Sequence, residues 1–152
     1  LYFPVVRQEL AMDKPISSIK DIMGNGESIL IVDDVKDQRM IASDMLIKLG
    51  YEVLVARSGK EAIKYYESKW NKIDLVILDM IMPDMNGGEV YDRIKGINPH
   101  AKILLSSGYS RDGQAADIME RGCDGFIQKP FSMEVLSGRI RKLLEKRNDR
   151  LS

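Results

Sequence analysis

Asp79 closes the apolar run Leu75-Val-Ile-Leu, and the pair Asp33-Asp34 follows a second such run, Ile29-Leu-Ile-Val32. Lys129 follows a third, Phe126-Ile-Gln128, and a serine pair, Ser106-Ser107, comes after Ile103-Leu-Leu105. Brought together, three carboxylates repel one another, and in a partly buried site that repulsion costs stability unless a cation offsets it. Mg²⁺ suits such a set, because it takes one or two carboxylates and fills its remaining positions with water and a phosphate. The Lys129 ammonium could then neutralise a second phosphoryl oxygen and the Ser107 hydroxyl could donate to a third. Phosphoryl transfer needs little from a protein beyond positioning and charge neutralisation, so a carboxylate nucleophile, a metal and a lysine suffice. Asp79 stands alone at its strand end and is the candidate nucleophile; Asp33 and Asp34 are the candidate metal pair.

These residues are far apart in the chain, so the fold must gather them. Candidate strands begin near residues 28, 51, 74, 101 and 124, a repeat of roughly 25 residues that accommodates one strand, one helix and two short loops. The segments between carry helical spacing: Ile41, Met45, Leu46 and Leu49; Ala62, Ile63, Tyr66 and Trp70; Val90, Ile94 and Ile97; Ala115, Ile118 and Met119; Val135, Leu136, Ile140, Leu143 and Leu144. Met40, Met45, Tyr66, Trp70 and Met119 are expected to pack in or near the core. Ser58 with Glu61, and Asn86 with Glu89, have capping-box spacing, and Gly50 and Gly122 sit where left-handed residues end helices. Pro83, Gly87 and Gly88 force a turn after Asp79. The strands are apolar throughout, as expected when helices cover both faces of a parallel sheet. The expected fold is therefore an open, doubly wound α/β domain of five βα units, whose carboxyl edge collects Asp33, Asp34, Asp79, Ser106, Ser107 and Lys129.

With 152 residues, 44% of them hydrophobic and 30% charged, the chain suits one globular domain with a short appendage. Basic and acidic residues number 23 each, which leaves no overall basic field for nucleic acid, and no apolar run approaches a membrane span. Cys123, the single cysteine, excludes an intramolecular disulfide and fits a reducing cytoplasm; beside Gly122 and without a histidine it is a small buried thiol. His100, the only histidine, follows Pro99 in a polar turn and cannot build a His-based metal site.

Asp33-Asp34, the spacing from Asp79 to Pro83 to Gly87, Ser107-Gly108 and Lys129-Pro130-Phe131 together resemble the receiver domain of two-component response regulators, over about residues 28–146. The resemblance implies a flavodoxin-like (βα)5 fold with strand order 2-1-3-4-5. It also implies that Asp79 accepts a phosphoryl group from a phosphohistidine. Asp34, Asp79 and the backbone carbonyl of Ile81 would ligate Mg²⁺, with Asp33 bound through a metal-bound water. Ser107, preferred to Ser106 because the receiver hydroxyl precedes a small residue, and Lys129 would hold phosphoryl oxygens. Phe126 matches the switch aromatic that moves with Ser107, and Lys129-Pro130 matches the family's cis peptide bond. Phe126 lacks the hydroxyl of a tyrosine, and Ile81, two residues past Asp79, cannot orient an attacking water.

The intact acidic set argues against a metal-free cofactor binder, whose first loop would offer hydroxyls and N–H groups to phosphate rather than Asp33-Asp34-Val35-Lys36-Asp37. It also argues against a receiver-like module that never takes phosphate. An aspartate-nucleophile phosphatase of the haloacid dehalogenase class would want a second acid where Ile81 stands. Residues 1–10, LYFPVVRQEL, resemble the closing strand of a histidine kinase ATP-binding domain, the alternative being a tag remnant or stray tail; 11–26 have linker composition. The expected organisation is a kinase tail (1–10), a linker (11–26), a receiver (27–147) and a polar C-terminal tail (148–152). That makes the chain the C-terminal receiver of a hybrid histidine kinase, with a stand-alone regulator as the alternative. The expected partners are a histidine kinase domain, of the same chain or another, and a histidine phosphotransfer protein. The receiver itself would catalyse only its own dephosphorylation, any kinase activity belonging to the parent chain. Neither nucleic acid nor membrane is expected to touch this cytoplasmic segment.

Overall fold

The computed structural model describes residues 23–108 and 113–145. The kinase-tail reading of 1–10, most of the linker and the C-terminal tail lie outside the described residues. Five strands, β1 (Ser28–Val32), β2 (Glu52–Ala56), β3 (Leu75–Asp79), β4 (Ile103–Ser107) and β5 (Gly125–Gln128), alternate with five helices, α1 (Lys36–Lys48), α2 (Gly59–Lys69), α3 (Gly87–Ile97), α4 (Gln114–Glu120) and α5 (Met133–Glu145). All strand pairs are parallel, in the order β2-β1-β3-β4-β5. The doubly wound sheet expected from the sequence is thus present, with strand order 2-1-3-4-5.

The unbroken apolar strands are explained by two cores, one on each face. Leu30, Val32, Val76, Leu78, Ile103 and Leu105 face a cluster completed by Tyr66, Val90, Ile94 and Ile118 of α2, α3 and α4. The alternate residues Ile29, Ile31, Leu75, Ile77 and Leu104 face a second cluster with Leu46 of α1 and Leu136, Ile140 and Leu143 of α5. Because side chains alternate along a strand, both parities must be apolar when both faces are covered. Each fully buried Leu or Ile contributes about 1.5–3 kcal/mol. β3 is the central strand, buried along its whole length and paired on both sides, so Asp79 closes a strand held by β1 and β4.

Local signals position the helix starts. Ser58 Oγ accepts the Glu61 N–H at 3.1 Å and Asn86 Oδ1 accepts the Glu89 N–H at 2.9 Å. Gly50 and Gly122 adopt φ of 91° and 102° after α1 and α4, conformations that side chains disfavour. Strand β4 starts at Ile103 rather than near 101, because the Ala101 N–H still bonds Asn98 O in the turn leaving α3. Met23–Gly26, linker-like in composition, lies against the α1–β2 turn, with Gly24 N–H bonded to Leu49 O and Gly26 N–H to Gly50 O.

Four residues expected on the packed helix faces are not there, among them Val135 of α5, which is 44% exposed. Met40 and Ile41 are 52% and 57% exposed, since Ala42 and Leu46 occupy the sheet-facing side of α1 and leave their neighbours on the flank. Trp70 is 46% exposed. The α-helix that should carry it one turn beyond Tyr66 ends at Lys69, whose φ of −131° redirects the chain into a single 3-10 turn, Trp70–Lys72.

Candidate functional site

The parallel sheet brings the ends of β1, β3, β4 and β5 to one edge. Asp79 is the last residue of β3 and is paired in register with Ser106, while Ser107, last in β4, is paired with Gln128. The Lys129 N–H donates to Ser107 O at 2.7 Å and the Met80 N–H to Ser106 O at 3.0 Å, so the sheet's hydrogen-bond ladder runs directly into the site. The Lys129–Pro130 peptide is cis. Asp33 and Asp79 are each 7% exposed. One carboxylate oxygen from each of Asp33, Asp34 and Asp79 lies within 4.8 Å of the others.

Lys129 crosses into this cluster. Its Nζ is 3.1 Å from Asp79 Oδ1, 3.2 Å from Asp33 Oδ2 and 2.6 Å from Gln38 Oε1, which engages all three ammonium donors. Asp33 has both oxygens engaged, because Oδ1 also accepts the Val35 N–H at 2.9 Å, and its carbonyl accepts from Arg39. The lysine does not fully balance the carboxylates. Burial, with Asp33 and Asp34 adding to it against the opposing pull of Lys129, pushes the Asp79 carboxyl up to about 6. Those are the conditions a hard divalent cation relieves, and the donor set is all oxygen, as Mg²⁺ requires. Asp33, Asp34 and Asp79 each offer a carboxylate oxygen that could hold such an ion.

The loop after Asp79 is shaped by Gly87. A Cβ there would lie 2.9 Å from Met80 Cα and 3.1 Å from the carbonyl oxygens of Asp79 and Met80, so only glycine lets α3 start against the end of β3. The Gly87 N–H bonds Met80 O at 2.9 Å and closes the loop. Within it Ile81 turns its side chain outward, 59% exposed. Phe126 lies on the face of β5 that meets Leu105, two residues short of Gln128, and lines a cavity of about 380 Å³ between α4 and α5 with Leu104, Met119 and Arg139.

Two contributors were not evident from the residues alone. Gln38 reaches Lys129 from the first turn of α1, 91 positions away in sequence. Asp84 accepts the Gly59 and Lys60 N–H groups at 3.1 Å each and so ties the β3–α3 loop to the start of α2. An acid shortly before α3 carries the ordinary signal of a local cap; its true partner is another helix's N-terminus, which spacing cannot reveal.

A response regulator receiver domain model matches residues 29–141. The chemotaxis protein CheY of Thermotoga maritima is 38% identical over 107 residues, 70% of this chain and 88% of that protein. The sensor kinase CckA of Brucella abortus is 31% identical over 138 residues, 91% of this chain but only 14% of the kinase. Among solved structures, a response regulator receiver domain protein from Clostridium thermocellum superposes with a TM-score of 0.77 at 30% identity, covering 83% of this chain and 99% of that one. With a parallel sheet whose carboxyl edge holds an acid triad and a lysine, the chain belongs to the response regulator receiver domain family.

Proposed function

We propose that Asp79 is the phosphoacceptor of a phosphorelay. The single observation that carries this is the Asp79 carboxylate, buried at the end of the central strand, 3.1 Å from the Lys129 ammonium and beside Asp33 and Asp34. An Asp79 oxygen attacks the phosphorus of a phosphohistidine, the P–N bond breaks, the imidazole leaves and takes a proton from solvent, and an acyl phosphate remains on Asp79. Asp34, Asp79 and the Ile81 carbonyl, with Asp33 beside them, would hold Mg²⁺, which would neutralise phosphoryl charge. Lys129 supplies a second positive group and Ser107 a hydroxyl donor, with Phe126 following Ser107 between inward and outward positions.

The donor's approach has support beside the site. Ile41, Ala42, Met45, Pro130 and Phe131 border an apolar cavity of about 350 Å³ that also reaches Lys129 and Gln38. An apolar surface opening onto the reacting lysine suits a histidine-bearing helix laid across α1.

We further infer that the receiver is the C-terminal part of a hybrid histidine kinase. The alignment with CckA extends over 138 residues, beyond the 29–141 that the receiver family occupies, and the sensor kinase/phosphatase LuxN of Vibrio harveyi is also similar, at 33% identity over 115 residues. The second reading, a stand-alone regulator that docks on its targets, is favoured by CheY relatives that this chain covers nearly end to end. Either role places the domain in the cytoplasm.

Incubation with acetyl phosphate and Mg²⁺, followed by intact mass measurement, tests the phosphoacceptor. The expected result is one added phosphoryl group, absent in Asp79→Asn and in EDTA; no gain in the wild type would reject the proposal.

A further inference from the structure

Lys129 is fully committed before any phosphoryl group arrives. Its ammonium has three donors, and the three acceptors are Asp79, Asp33 and Gln38. Two of these are the acids that also serve metal and phosphate. The third, the Gln38 amide oxygen, is neutral and makes the shortest of the three bonds, at 2.6 Å. It approaches from α1 rather than from the sheet, on the wall of the apolar cavity that opens toward solvent. An ammonium has no further N–H to offer, so donating to a phosphoryl oxygen on Asp79 requires one existing bond to break.

We infer that Gln38 is a positioning residue that tethers Lys129 toward α1 in the unphosphorylated domain and must release it as the phosphoryl group is transferred. The inference rests on the reading of Asp79 as phosphoacceptor. Asp79 stays beside the ammonium because it carries the incoming group, and Asp33 remains attached through its backbone and the Val35 N–H. Gln38 is the acceptor whose loss costs least: it is uncharged, and its exposed amide regains water on release. A bond present in the resting state and absent in the transition state slows the step, because only differential stabilisation affects the barrier. Gln38 therefore restrains the reaction, and a partner seated in the α1 cavity could lift the restraint by drawing the amide away.

Two measurements on Gln38→Met, which keeps length and removes the acceptor, test this. The first needs no phosphate: ¹³C relaxation of Lys129 Cε in the unmodified protein should show an ordered side chain in the wild type and a more mobile one in the variant. Equal mobility in the two would mean that no tether exists. The second is the rate of phosphoryl uptake from acetyl phosphate with Mg²⁺, expected to rise about two- to tenfold in the variant, the loss of one partly solvated hydrogen bond. An unchanged or slower rate would overturn the restraint, since a residue that only stabilises the fold would not accelerate uptake on removal. Failure of wild-type Asp79 to take any phosphoryl group would instead reject the phosphoacceptor reading and the restraint with it, leaving the relaxation result to judge the tether alone.

Discussion

Asp79 concentrates the conflict between stability and chemistry in one side chain. In an unfolded chain its carboxyl titrates near 3.8, whereas burial raises it to about 6 in the fold. Between those values the native state binds more protons than the unfolded state, so this group's contribution to stability falls as pH rises from about 4 to 6 and stays low above. The difference corresponds to about 3 kcal/mol at pH 7. Asp79→Asn should therefore melt several degrees higher than the wild type in EDTA at pH 7, with the gap closing toward pH 4. A lower melting temperature for the variant at pH 7 would contradict a frustrated acidic pocket. Mg²⁺ should raise the wild-type melting temperature more than that of Asp79→Asn, because a ligand stabilises only the state that binds it. Ile81 acts at the same scale. Its exposed aliphatic side chain, two residues past Asp79, offers no group to align water, so a phosphoryl group on Asp79 should hydrolyse more slowly than in Ile81→Asn. Equal lifetimes by intact mass after removal of donor would sink that prediction.

The elements around the site were legible in the sequence to different degrees. A residue that ends a strand lies at the sheet edge, so an apolar run followed by Asp or Lys places Asp33, Asp34, Asp79 and Lys129 at the carboxyl edge from the sequence alone. Helix faces were less legible. Periodicity assigns an apolar stripe, but the width of the buried sector depends on what the helix covers, and on α1 Ala42 and Leu46 fill the sheet-facing side and leave Met40 and Ile41 outward. Trp70 was misplaced because spacing continued a helix that the backbone at Lys69 had ended. Contacts such as Gln38 to Lys129 and Asp84 to α2 join side chains through space and leave no local pattern. The exposed α1 surface has a consequence of its own: Ile41→Asp should slow phosphoryl transfer from a histidine-bearing partner by tenfold or more while leaving uptake from acetyl phosphate within about twofold, the loss being confined to docking. Equal slowing with both donors would remove α1 from the partner interface. The α3 start makes a separate claim. Gly87→Ala drives a Cβ into the Met80 backbone and should destabilise the domain by about 1–3 kcal/mol and weaken Mg²⁺ binding, since the same loop bears Ile81. A variant with wild-type melting and metal affinity would show that the loop gives way.

For the whole molecule, fold and chemistry are linked through topology: a parallel sheet has all its strand ends at one edge, and the β1 and β3 ends adjoin at its centre. Two apolar cores hold those strands in register and offset the cost of keeping three acids and a lysine close together. The chain spans 14% of the sensor kinase CckA and 88% of the CheY of Thermotoga maritima, so receivers like it occur both inside long kinases and as short proteins. The proposed function in either setting rests on an acyl phosphate at Asp79. Its most direct test is hydride trapping: the phosphorylated protein is reduced with borohydride, which converts an aspartyl phosphate to homoserine, and the peptides are sequenced by mass spectrometry. Homoserine at position 79 and unchanged residues at Asp33, Asp34 and Asp84 are the predicted result. Homoserine at any of those other aspartates, with Asp79 intact, would contradict the account.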